Sequence, residues 1–289
     1  SGVSNSKTIY QNENGYYMIY DSDRFGFNNP DYEWDNKEVD SILIGDSFTH
    51  GASVNRPNDI ASVLRNISGK SILNLGYSAN GPLIEYGAIN EYLFQNNDLT
   101  AKNIIWLFTD NDIQGLIYEL ESDLLKKYLQ NKNFSQNLIS QQNRVDQIAN
   151  KEIIKTKYET KRFYFFRFLK LYELRNSIVF KQKYNDIRIP SEFTEILSNM
   201  KKLSQENNSN FYFVYIPDPM MYFGRNFNYE LRDQIIKIVE DLDINLIDIH
   251  LELSKNNENI KKLYPFQLLG HYNVAGYKKV SKIIFDGIN

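Results

Sequence analysis

Five short apolar runs constrain this chain more than any other feature of its sequence. They are Val39–Ile44, Ser71–Gly76, Asn103–Phe108, Asn210–Ile216 and Ile244–Ile247. Each is strand-length, rich in β-branched or aromatic residues, and lacks the polar alternation of a strand with one wet face. Stretches with helical spacing separate them: Ile60, Val63, Leu64 and Ile67, then Ile89 and Leu93, then Ile113, Leu116, Ile117, Leu120 and Leu124. Further on come Phe193, Ile196, Leu197, Met200 and Leu203, then Leu231, Ile235 and Ile238, and finally Tyr277, Val280 and Ile284. Strands that alternate with helices, and that are apolar on both faces, predict a parallel sheet covered by helices on each side. The expected fold class is therefore α/β, a three-layer α/β/α arrangement around a central five-stranded parallel sheet.

With 289 residues the chain can bury a sizeable core, and we expect one large domain over 38–289. Residues 1–37, rich in Asn, Asp, Tyr and Gly, read as an irregular leader packed on that domain, and no chemistry is expected from them. The stretch from about 125 to 190 has no convincing strand and reads as a helical insertion forming part of a cleft wall. Within it, Lys161–Lys170 interleaves bases with aromatics, a pattern expected of a helix with rings packed inward and long bases reaching outward.

A net charge of −3 gives no global basic footprint, so no nucleic-acid partner is expected. No run of 18 apolar residues is present, so no transmembrane segment is expected. Without cysteine there is neither a thiolate nucleophile nor a zinc–thiolate site. The three histidines, His50, His250 and His271, are too few and too scattered for a multi-histidine centre. No metal and no cofactor are expected.

Chemistry is expected where the strands stop. The first run ends in Gly45-Asp46-Ser47, the second in Asn74-Leu75-Gly76 and the third in Asp110-Asn111-Asp112. Gly270-His271-Tyr272-Asn273 stands just before the last helix. In open α/β sheets, ligands sit outside the carboxyl ends of the strands, so the first three turns crowd one edge. Taken singly each has a plainer reading: Gly76 as a tight turn, Asn111 as a helix N-cap, His271 as a turn residue before a helix whose N-cap is Asn273.

Taken together, and in this order, the four blocks resemble those of the SGNH or GDSL hydrolase family, over roughly residues 39 to 286 apart from the insertion. The resemblance implies a flavodoxin-like sheet and a serine ester hydrolase. It makes Ser47 the nucleophile and His271 the general base. It makes the Ser47 and Gly76 N–H groups and the Asn111 amide the oxyanion donors. The implied substrate is a small-molecule or carbohydrate ester carrying a short acyl group such as acetyl. An O-acyltransferase using the same Ser-His pair is the alternative, and a non-catalytic module that binds a glycan or a protein is a third reading. The resemblance and the Ser-Gly start together suggest an extracytoplasmic location.

One position departs from the family pattern, which places an aspartate two or three residues before the histidine. Here those positions are Leu269 and Leu268. The expectation is that a main-chain carbonyl of Leu268 or Leu269 orients the imidazole. Asp218 and Asp248, each following a strand, are further candidates for a carboxylate from elsewhere. Asp46 and His50, beside Ser47, are expected near the cleft.

Overall fold

The computed structural model describes residues 1–96, 98–169, 188–224, 227–255 and 259–289, the side chains of 156–169 excepted. The Lys161–Lys170 side chains thus lie outside the described residues. Two short strands, β1 (Lys7–Ile9) and β2 (Ile19–Asp21), pair antiparallel near the start of the chain. Residues 1–37 are therefore not wholly irregular. Strands of three residues are too short to show alternation in sequence.

The chain then enters the main sheet at β3 (Glu38–Gly45) and runs through α1 (Ser47–His50) and α2 (Ile60–Ser68) to β4 (Ile72–Asn74). α3 (Pro82–Ile89) leads to β5 (Thr100–Phe108), followed by α4 (Asn111–Glu119), α5 (Asp123–Gln130) and α6 (Gln142–Leu169). After α7 (Ser191–Glu206) come β6 (Asn210–Tyr215), α8 (Tyr229–Asp241), β7 (Asn245–Asp248), α9 (Ile249–Ser254) and α10 (Val274–Ile288). The sheet order is β4-β3-β5-β6-β7, and every pairing in it is parallel. This is the expected three-layer α/β/α architecture with the flavodoxin-like order.

Alternation along the strands divides the core in two. Ile42 and Ile44 of β3, Ile104, Trp106 and Phe108 of β5, and Phe211, Phe213 and Tyr215 of β6 face one layer, where they meet α3, α4, α7 and α8. Leu43, Ile105, Leu107 and Val214 face the other, against α2, α9 and α10. Both faces are dry, which is why the runs read as continuously apolar. Each such side chain, fully buried, contributes about 1.5–3 kcal/mol.

Several boundaries differ from the sequence expectation: β4 is Ile72–Asn74 within the run Ser71–Gly76, and larger differences occur at β5 and α4. β5 starts three residues earlier, at Thr100. The apolar stripe from Ile113 to Leu124 is broken, because α4 ends at Glu119 and Ser122 caps a new helix by accepting the Leu125 N–H at 3.3 Å. The Glu119 carboxylate instead receives the N–H groups of Gly81, at 2.6 Å, and Leu83, at 2.9 Å, at the start of α3. Donors with no partner inside their own helix are thereby satisfied.

From β3 the chain steps outward to β4 and then back across to β5, so the order reverses between β3 and β5. A crevice opens at their carboxyl ends, and this is where such sheets bind ligands.

Candidate active site

Ser47 stands at that crevice because β3 must turn sharply to enter α1. Gly45 makes the turn at φ +146°, and a Cβ there would lie 2.2 Å from Thr49 Oγ1 and 2.4 Å from the Leu107 carbonyl oxygen. Only glycine fits. Buried Asp46 caps α1, accepting the Phe48 N–H at 3.0 Å. As the first residue of the helix, Ser47 has an N–H without an intrahelical acceptor. Its hydroxyl has two acceptors in reach, Asp46 Oδ2 at 3.0 Å and His271 Nε2 at 2.8 Å.

His271 reaches Ser47 from the segment before α10. Asn273 caps that helix by accepting the Gly276 N–H at 3.0 Å and donates to the carbonyls of Lys262 and Tyr264, which ties the segment down. The Phe48 ring packs 4.9 Å from the imidazole, between centroids. Asn111 is the first residue of α4 rather than its N-cap. The Thr109 hydroxyl donates to its Oδ1, and its Nδ2 lies 3.5 Å from Asp46 Oδ2. That contact is at the weak limit of a hydrogen bond, so the exposed amide nitrogen remains available.

Ser47, His271, Asp46 and Asn111 therefore meet at the crevice. The Gly76 N–H does not present itself in the same way, because it donates to Asn74 Oδ1 at 2.8 Å. Asparagine commonly closes such a turn onto the backbone two residues ahead. Gly76 matters sterically, since a Cβ there would sit 2.4 Å from Thr49 Cβ.

The carboxylate on His271 Nδ1 comes from an unexpected place. Glu13 lies with Oε1 at 3.1 Å and Oε2 at 3.0 Å from Nδ1, and Oε2 also accepts the His271 backbone N–H at 2.8 Å. The Ser53 hydroxyl donates to the same oxygen at 2.9 Å. Burial alone would raise the Glu13 carboxyl, but the bonds and charge of His271, with Ser53, outweigh it and hold the group down at about 2.

The expectation that a Leu268 or Leu269 carbonyl orients the ring is thus corrected. Nδ1 faces Glu13, while Phe266 and Gln267 take positive φ and the side chains of Leu268 and Leu269 lie exposed. Asp218 and Asp248 are also placed elsewhere. Asp218 accepts the Met220 N–H at 2.7 Å; Asp248 caps α9 and pairs with Arg232. His50 lines no cleft, being fully buried between Tyr20 Oη and Ser78 Oγ, each 2.8 Å from a ring nitrogen. Burial lowers it to about 3, so it is neutral. Glu13 escaped sequence reasoning because its neighbours, Gln11-Asn12-Glu13-Asn14, carry no periodicity or motif. The one available signal was indirect: a histidine lacking its local aspartate calls for a carboxylate from a distant segment.

No family model matches the chain, and no curated protein matches it. Among solved structures, it is similar to a lipolytic protein of the G-D-S-L family from Desulfitobacterium hafniense, at 15% identity and a TM-score of 0.50, covering 87% of this chain and 99% of that one. This chain has the G-D-S-L fold. Weaker likenesses are to a lipase/acylhydrolase from Enterococcus faecalis (12% identity, TM-score 0.48, 86% and 95% covered) and an acetylxylan esterase from Geobacillus stearothermophilus (14% identity, TM-score 0.46, 87% and 94% covered). Among the described residues no His, Asp and Glu cluster is arranged to hold a metal, and no helix is long and apolar enough to cross a membrane.

Proposed function

We propose that this protein is a serine ester hydrolase of the SGNH/GDSL type, with Ser47 as nucleophile and His271 as general base. The observation that carries the reading is the 2.8 Å contact between Ser47 Oγ and His271 Nε2 at the sheet's switch point. In the first step Oγ bonds to the ester carbonyl carbon, its proton passes to Nε2, and the carbonyl π pair moves onto oxygen. The Ser47 N–H and the Asn111 amide are the two donors free to receive that oxyanion. The Gly76 N–H joins them only by leaving Asn74. When the intermediate collapses, the bond to the alcohol oxygen breaks and Nε2 returns its proton to the leaving alcohol. Water, deprotonated by the same nitrogen, then cleaves the acyl-serine.

The acyl group we assign is a short one such as acetyl. The alcohol we assign is that of a carbohydrate. Tyr16 and Tyr17 lie exposed on the segment that carries Glu13, and Phe266 on the segment that carries His271. Such rings offer flat faces to a sugar. The reading of a non-catalytic module drew on the missing local aspartate and on the 14% aromatic content; the Glu13 carboxylate 3.0 Å from His271 Nδ1 speaks against the first of these.

The test is p-nitrophenol release from the acetyl ester, followed by sugar acetates, with Ser47→Ala and His271→Ala alongside. The expected outcome is a loss of about 10³-fold or more in kcat for each variant. A natural chain no faster than Ser47→Ala on the whole substrate series sinks the proposal.

A further inference from the structure

The hydrolase reading requires a ring proton on Nδ1 and a lone pair on Nε2, and two side chains compete to set this. Gln11 Nε2 lies 3.0 Å from Nδ1, as close as the nearer Glu13 oxygen. The two make opposite demands. An amide N–H can only donate, which needs a bare Nδ1 and drives the ring proton to Nε2, where it blocks uptake of the serine proton. A carboxylate accepts from Nδ1–H and leaves Nε2 free for Ser47.

The surroundings favour the carboxylate. Glu13 gathers the His271 N–H and the Ser53 hydroxyl as well as the imidazole, whereas the Gln11 amide has Ser53 Oγ at 3.1 Å as an alternative acceptor. A charged acceptor with several donors outcompetes a neutral donor that has another partner. Gly270 makes the approach possible, since a Cβ there would meet Glu13 Oε2 at 2.9 Å.

The loop that carries Glu13 is anchored at both ends. Tyr10 N–H donates to the Met18 carbonyl at 2.8 Å and Met18 N–H to the Gln11 carbonyl at 3.0 Å, which extends the β1–β2 pairing up to the loop. Met18 is fully buried, and Asn14 Nδ2 donates to the Ser53 carbonyl at 2.7 Å. The carboxylate is thus held in place by the fold, although 258 residues separate it from His271.

We propose that Glu13 is the positioning acid of the catalytic centre, a role this fold usually gives to a residue just before the histidine, and that the loop between β1 and β2 is thereby a working part of the active site. The proposal rests on the ester-hydrolase reading of Ser47 and His271. Glu13 acts through the imidazole and does not touch substrate.

The experiment combines kcat and KM on p-nitrophenyl acetate with proton NMR of the far-downfield region, where an imidazole N–H bonded to a carboxylate resonates. Glu13→Gln keeps the size of the side chain and an acceptor for the His271 N–H but presents a donor or a neutral oxygen to Nδ1. The expected result is a fall in kcat of about 10²- to 10⁴-fold, the upper end being the cost of losing the acid from a serine-protease triad, with KM within about threefold. The wild-type downfield signal should vanish. Glu13→Ala should regain turnover when formate is added, whereas Ser47→Ala should not. A downfield signal unchanged in Glu13→Gln, with kcat within about threefold of wild type, overturns the assignment of Glu13 alone. Turnover that survives in Ser47→Ala overturns the underlying hydrolase reading instead, whatever Glu13 does.

Discussion

Replacing Gly270 by alanine approaches the Glu13 contact from its other side. Gly270 is not among the glycines at positive φ, so alanine introduces no backbone strain of its own. The new Cβ would lie 2.9 Å from Glu13 Oε2 and 3.4 Å from its Cδ. To regain ordinary van der Waals separation the carboxylate must retreat by roughly 0.5 Å. The bond from the His271 N–H, now 2.8 Å, then leaves the favourable range, and the approach to Nδ1 loosens with it. A hydrogen bond to a charged group is worth about 1.5–3 kcal/mol. If that loss is felt in the transition state, kcat falls by about 10- to 150-fold. Global stability should fall less, by about 1 kcal/mol, because the partly exposed Glu13 side chain can recover water as it moves. The assay is a double-mutant cycle: kcat on p-nitrophenyl acetate for wild type, Gly270→Ala, Glu13→Gln and the double variant, with urea midpoints recorded for each. The expected outcome is strong non-additivity, Gly270→Ala costing little once Glu13 has been changed. Equal fold-losses from Gly270→Ala in both backgrounds would show that the glycine acts independently of Glu13 and refute the reasoning.

Two further outcomes follow from the site. Asn111→Ala should lower kcat by about 10²- to 10³-fold with KM and urea midpoint nearly unchanged, since the residue is exposed and, on the proposed mechanism, its amide receives the oxyanion; kcat within threefold of wild type would remove Asn111 from that role. The Glu13 carboxyl, held at about 2 against an ordinary 4.5, contributes stability that is fully present above 4.5 and is lost as pH falls through about 2. The contribution is at most about 3 kcal/mol, and less after allowance for solvent at a side chain 30% exposed. The urea-midpoint gap between wild type and Glu13→Gln should therefore narrow from pH 7 to pH 3, and a constant gap would contradict it.

Much of the site was legible in the sequence because its parts sit at strand ends, where local pattern and position coincide. Ile42–Ile44 read as part of a doubly covered strand, so the residue after Gly45-Asp46 was expected at the sheet's carboxyl edge. Asn273 was readable as a cap, and a cap fixes where the preceding His271 enters. Gly76 was expected to offer its N–H to the oxyanion, but nothing in Asn74-Leu75-Gly76 says that the Asn74 side chain folds back on that donor. The break after Glu119 escaped for a similar reason. A carboxylate that caps another helix 38 residues away leaves no periodic trace in its own.

The sequence by itself determined the layers, the parallel sheet and the turn that presents Ser47, because these depend on which residues avoid water and on backbone rules that act over a few positions. Only the tertiary structure decided which group holds the imidazole. Leu268 and Leu269 are close to His271 in the chain and irrelevant to Nδ1; Glu13 is distant in the chain and within 3.1 Å of it. Hydrogen bonds are set by distance in space, and a hairpin at the other end of the polypeptide can supply what the local segment lacks.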